Sequence, residues 1–267
     1  MTAMTYGYWS PHSSSVDFCE PNYLITPYIA EFHNSWSSAL ITVLSLIALC
    51  YGNPTKEFRF TMMFLIMGSV GVGSVGLHTT LHWLPQSSDE LPMLWASLSM
   101  LYALCVMREP KDSPKVKTYG AVFLAIGFAE SVIYYSFRQI YAVFIVSIIA
   151  SSIVVISWMT QLTFFDKDLQ HSRIRQILFY LAAYVFSAGF GLWLIDMNLC
   201  EYLMPVYLRI GGFTLHVFWH MFSCLGTYIA YLHLISVRLQ FLKLEPQIKF
   251  VFGFFPVIKV RPQQKRL

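Results

Sequence analysis

The residues best equipped for chemistry are His216 and His220, in the segment His216-Val217-Phe218-Trp219-His220. A spacing of four puts both imidazoles on one face of a helix, one turn apart. Neutral imidazoles so placed can supply two of the three protein ligands of a catalytic zinc ion. The same spacing suits two hydrogen-bonded histidines in a helix interface. The apolar run around them, Gly211 to Leu234, sharpens the metal reading, because ionisable groups inside a membrane are costly and usually functional.

Partners must come from elsewhere in the chain. His78 and His82 form a second such pair, so spacing does not choose between them, and depth favours His78. Ser74 lies one turn before His78 on the same face. Its hydroxyl could donate to a reacting oxyanion or bond its own i−4 carbonyl. Asp89 is expected to open the third helix. There it is either an ordinary N-cap, with Glu90 stabilising the helix start, or a carboxylate placed to take a proton from water. Asp17, Glu20, Asn22 and Glu31 offer hard oxygens at an irregular spacing that suits Ca²⁺, although four polar loop residues are commonly just solvated. Asp196 is expected to be a partner for a histidine N–H or an exposed helix-end group. Glu130 receives no role.

The elements that must position these residues follow from composition. Of 267 residues, 56% are hydrophobic and only 12% charged, about half the charge of an ordinary soluble domain. Seven apolar runs, near 32–51, 60–83, 91–107, 118–136, 140–162, 174–195 and 211–236, are each about the ~20 residues that cross a bilayer. The fold class expected is an all-α, seven-helix transmembrane bundle. Met1–Ser15 lacks the basic start and apolar core of a signal peptide.

Loop charge orients the bundle. Lys56 and Arg59 follow the first run, Arg108, Lys111, Lys115 and Lys117 the third, and Lys167, Arg173 and Arg175 the fifth. Arg238, Lys243, Lys249, Lys259, Arg261, Lys265 and Arg266 follow the seventh, leaving only Arg138 and Arg209 of the 18 basic residues on the other side. This puts the C-terminus in the cytosol and the N-terminus outside, in the lumen or extracellular space. Three regions result: an outer N-terminal segment 1–31, a seven-helix catalytic domain 32–236 and a basic cytosolic tail 237–267. Basic residues dispersed over short loops argue against nucleic-acid binding. Cys19 and Cys200 both fall on the oxidising outer side, which predicts a Cys19–Cys200 disulfide. Cys50, Cys105 and Cys224 read as core residues of helices. Gly68, Gly71, Gly73 and Gly76 crowd the second helix and permit close approach to a neighbour. In this orientation the second and seventh helices bring His78, His216 and His220 to one outer depth, as a shared metal requires.

These residues resemble the alkaline ceramidases, membrane hydrolases of the ceramide amide bond, most closely the branch acting on phytoceramide and unsaturated ceramides. The resemblance is carried by Asp17-Phe18-Cys19-Glu20 with Asn22, Tyr28-Ile29-Ala30-Glu31-Phe32, Ser74-x3-His78, Asp89-Glu90-Leu91-Pro92-Met93, Trp193-x2-Asp196-x3-Cys200-Glu201, His216-x-x-Trp219-His220 and Phe252-Gly253-x2-Pro256-Val257. It implies zinc on His78, His216 and His220, and Ser74 and Asp89 at the catalytic centre. It implies calcium on Asp17, the Phe18 carbonyl, Glu20, Asn22 and Glu31. It supports the disulfide and selects His78 over His82. Phe18 stands where relatives carry Trp; His82 and Glu130 receive no role.

The function expected is zinc-dependent intramembrane amidase chemistry on ceramide, releasing a sphingoid base and a fatty acid, in endoplasmic reticulum or Golgi membranes, with the plasma membrane as the alternative. No protein partner is predicted. The alternative is a lipid-sensing receptor of the progestin and adiponectin type, whose histidine pattern is similar but whose N-terminus is cytosolic. A metal transporter is a further alternative, opposed by the clustering of all candidates at one depth.

Overall fold

The computed structural model describes residues 6–262 apart from Gln170. Met1–Thr5 and the tail bases Lys265 and Arg266 lie outside the described residues. The chain is mostly helical, with eight α-helices among the described residues: α1 Phe32–Tyr51, α2 Phe58–Thr80, α3 Trp83–Cys105, α4 Pro114–Ser136, α5 Tyr141–Thr160, α6 Arg173–Asn198, α7 Cys200–Arg209 and α8 Leu215–Phe241. Six of them, all except α3 and α7, are long and apolar enough to cross a membrane. Their outward faces are apolar too: Leu124 and Phe128 on α4, Val146 on α5 and Tyr184 on α6 are exposed. Such all-round apolarity fits helices surrounded by lipid.

The bundle is built around α8, which packs on α6, α1 and α2. Residues Tyr228 to Leu239 of α8 are almost all buried, against Phe60, Met63 and Phe64 of α2. The other long helices are joined through α3, which lies against α2, α4 and α5. At α2 the approach is close enough to need glycine. A Cβ on Gly73 would stand 1.9 Å from the Ser88 carbonyl oxygen and 2.5 Å from the Asp89 nitrogen.

Three departures from the sequence reading affect the site. First, α3 begins at Trp83, not near 91. Leu81 adopts a left-handed conformation (φ 49°) that closes α2, and extended His82 turns the chain straight into α3. Asp89 is therefore not an N-cap. It lies in the second turn of α3, and Gln86, Ser87, Asp89 and Glu90 are buried there. Second, the sixth connection contains α7, which carries Cys200. Third, α8 runs on to Phe241, and the segment after it forms an antiparallel hairpin, β1 Pro246–Val251 with β2 Phe255–Val260. Phe252 and Gly253 turn it at positive φ. Phe255, Val257 and Ile258 join the main core, and the Tyr228 hydroxyl donates to the Pro256 carbonyl at 2.5 Å. Of the cysteines read as core, Cys224 is buried and Cys105 half-buried, but Cys50 is exposed.

Candidate metal centre

His78 lies two residues before the end of α2, and His216 and His220 lie in the first two turns of α8. The two helices reach the same level from opposite directions. Their three imidazoles meet there with ring centroids 4.6–5.2 Å apart. One nitrogen from each lies within 4.8 Å of the others, and all three side chains are buried. This is a possible metal site with three neutral nitrogen donors, the donor set of a zinc centre that keeps one position open.

The outer atoms of these rings are held unequally. His78 Nδ1 lies 2.5 Å from Glu31 Oε2. His220 Nδ1 lies 2.8 Å from Ser37 Oγ, whereas His216 Nδ1 is buried without a hydrogen-bond partner among the described residues. A carboxylate on the second nitrogen of a metal-ligating histidine orients the ring and raises its basicity. Glu31 is the N-cap residue of α1. The backbone supports the contact, since the Glu31 N–H donates to the His78 carbonyl at 2.9 Å and the Ala30 N–H to the Thr79 carbonyl at 3.0 Å.

Ser74 and Asp89 meet beside this cluster. The Ser74 hydroxyl lies alongside the Asp89 carboxyl and 2.9 Å from Ser38 Oγ, and all three residues are buried. Glycine at 73 makes this meeting possible, because it lets the Ser88–Asp89 backbone come down onto α2. Glu90, next to the proposed base, turns the other way. It accepts from Gln86 at 2.8 Å and from the Tyr134 hydroxyl of α4 at 2.6 Å, so its role is to tie helices together rather than to start one.

The N-terminal segment folds over the site. Cys19 and Cys200 are joined, with an S–S distance of 2.13 Å. The Phe18 ring lies 5.0 Å from the His78 ring and 4.3 Å from that of His216, closing one side of the cluster. His82 is not part of the cluster. Its ring contacts Ser13 Oγ at 3.0 Å and the Trp9 carbonyl at 2.9 Å, tethering the segment.

The oxygens expected to hold calcium come together only in part. Asp17 lies against Glu31, and Asn22 Nδ2 donates to Asp17 Oδ1 at 3.2 Å while Asn22 Oδ1 is buried without a partner among the described residues. Turning that amide over would bring its oxygen to the carboxylate, an arrangement that calls for a cation between them. Glu20 accepts from the backbone N–H groups of His33 at 2.6 Å and Asn34 at 2.7 Å, at the start of α1. An anion is favoured there by the helix dipole. Burial raises the Glu20 carboxyl to about 8 despite those two N–H groups, and burial holds Glu31 well above the usual range, with Asp17 adding to it. Crowded, desolvated carboxyls of this kind are relieved by a bound cation.

Asp196 is fully buried and accepts from the Tyr207 hydroxyl at 2.6 Å. It is neither exposed nor hydrogen-bonded to a histidine side chain. Glu130 lies away from the cluster, in a cleft of about 280 Å³ between α3, α4 and α5.

The ceramidase family model matches residues 10–259. The chain belongs to the ceramidase family. Among its relatives, alkaline ceramidase 3 of Mus musculus is 29% identical, with 97% of each chain covered. The alkaline ceramidase of Arabidopsis thaliana is 27% identical with 95% of each covered. Alkaline ceramidase YPC1 of Saccharomyces cerevisiae is 29% identical over 92% of this chain and 83% of its own. These relatives favour the hydrolase over the receptor. Sequence reasoning missed Glu31 as a partner of His78, and it missed Asn34, Ser37 and Ser38 altogether. The available signal was a polar stripe, at positions i, i+3 and i+4, inside an apolar helix.

Proposed function

We propose that this protein is a membrane hydrolase that cleaves the N-acyl bond of ceramides to a sphingoid base and a free fatty acid. The observation that carries the reading is the convergence of His78, His216 and His220 with Ser74 and Asp89, in a chain of the ceramidase family. Zinc is the metal this donor set suits. When bound it would polarise the amide carbonyl and bring the pKa of its water towards ~7.

The residues divide the remaining work. Asp89 takes the proton of the attacking water, from a position fixed by the α2–α3 contact. Ser74 donates to the oxygen that becomes negative in the tetrahedral intermediate. Asp89 then returns the proton to the departing sphingoid amine, the usual exchange of base and acid roles. Phe18 limits the entry of bulk water, which strengthens each of these interactions.

α3 is the seventh crossing helix: its 23 residues span about 34 Å, and its polar side chains, Ser88 apart, turn towards protein neighbours instead of lipid. The loop charges set the N-terminus outside and the C-terminus in the cytosol. Residues 1–31 then form an outer segment holding calcium through Asp17, the Phe18 carbonyl, Glu20, Asn22 and Glu31. The expected membrane is that of the endoplasmic reticulum or Golgi. Purified protein supplied with ceramide tests the reading directly. His220→Ala is expected to lose both zinc and sphingoid-base release; a variant that keeps full zinc content and normal turnover would show the reading to be wrong.

A further inference from the structure

The first turns of α1 contain a proton count that fixes one histidine. The Asn34 carbonyl accepts from Ser37 Oγ at 3.0 Å and from Ser38 Oγ at 2.7 Å. A serine hydroxyl has one proton and two lone pairs. With its proton given to Asn34, Ser37 can only accept at its 2.8 Å contact with His220 Nδ1. In that arrangement the His220 proton sits on Nδ1 and the lone pair on Nε2 is left for the cluster; the reverse, Ser37 donating to Nδ1, would leave the Asn34 carbonyl to Ser38 alone. Ser37 is 0% exposed, so solvent does not compete for either bond. Ser38 is the less favourable acceptor, at 3.4 Å from the same nitrogen, and is engaged with Ser74.

A serine inside a helix often bonds the carbonyl three or four residues back and does nothing more. Ser37 differs in its second contact, which spans 183 residues of sequence and ends on a proposed metal ligand. We propose that Ser37 is a positioning residue of the metal centre, holding His220 in the Nδ1–H tautomer with Nε2 directed at the metal. The proposal rests on the zinc reading above. It adds that α1, which supplies no ligand, orders two of the three: Glu31 at its N-cap holds His78, and Ser37 holds His220. His216 has no such support.

The test uses the purified full chain and Ser37→Ala. Zinc affinity is measured by chelator competition, thermal unfolding is measured on the metal-free protein, and the visible spectrum is recorded after cobalt substitution. Loss of an orienting partner is expected to weaken zinc about 10–100-fold. The cobalt bands should change, and zinc should weaken by more than the modest loss of apo stability that two missing buried hydrogen bonds bring. A merely structural serine would lower apo stability and leave affinity and spectrum alone. Wild-type affinity and spectrum in Ser37→Ala overturn the proposal, even if Ser37→Ala/Ser38→Ala then loses the metal, because the role would belong to Ser38. A wild type that binds no zinc removes the functional reading and this proposal together. A wild type that binds zinc beside an unaffected Ser37→Ala removes only this one.

Discussion

Gly73→Ala separates the proposed catalytic pair, Ser74 and Asp89, from the proposed metal site. The added methyl would lie 1.9 Å from the Ser88 carbonyl oxygen and 2.2 Å from its carbon. A comfortable C···O contact is about 3.3 Å, so α3 must withdraw by roughly 1.4 Å. These are backbone atoms and cannot swing aside as a side chain would. Overpacking of this kind typically costs about 1–3 kcal/mol of stability. The larger effect is on rate. Asp89 follows Ser88, so the withdrawal carries its carboxyl away from Ser74 and the histidine cluster. A misplacement of about 1 Å in a catalytic geometry can cost ~100-fold. The histidines lie on α2 and α8, so they should still meet. The expected result is zinc at wild-type stoichiometry with ceramide turnover reduced about 100-fold, read by mass spectrometry of released sphingoid base. Turnover within two-fold of wild type in a folded, zinc-loaded variant would refute the claim that the α2–α3 approach sets the Asp89 position.

Two further expectations concern the N-terminal segment. His82→Ala should keep full zinc stoichiometry while losing the bonds to Ser13 and Trp9. Each such bond contributes about 0.5–1.5 kcal/mol, so the thermal midpoint should fall; loss of metal would make His82 the ligand. The Glu20 carboxyl, raised by burial to about 8, gives the other. Its folded pKa exceeds its unfolded value, so between the two the folded state binds more protons and stability falls as pH rises. Calcium would oppose this by favouring the ionised form. With chelator present, the midpoint should drop from pH 5 to pH 8, and calcium should restore it most at the alkaline end. A calcium effect independent of pH would remove Glu20 from the site.

The histidine cluster was legible because helical period and bilayer length together determine depth. His78 on one helix and His216 and His220 on its antiparallel neighbour need no side-chain detail to be brought level. The start of α3 was not legible for the complementary reason. Gln86, Ser87, Asp89 and Glu90 break the apolar run, yet protein partners bury them: Gln86 meets Ser15, and Glu90 meets Tyr134. Hydropathy records what a residue would cost in lipid, not which neighbour removes that cost. The hairpin after α8 failed similarly, since two six-residue strands of mixed polarity show little until Phe255, Val257 and Ile258 find the core.

The largest omission was α1, and it changes how the site is understood. Attention to residue types that bind metal leads to α2 and α8 and passes over serines and a boundary glutamate. Yet Glu31 stands where the two proposed metal sites meet. Its Oε2 contacts His78, its Oε1 accepts from the Phe18 N–H at 3.1 Å, and Asp17 lies beside it. One carboxylate with both oxygens so committed cannot be moved for one site without disturbing the other. Any displacement of the N-terminal segment, which is held next to Phe18 by the Cys19–Cys200 bond, therefore reaches the His78 ring directly. A chain that places its proposed metal ligands on two helices and their proposed orienting groups on a third needs all three in register for such a site to form. The tethered segment over α1 is what keeps them so.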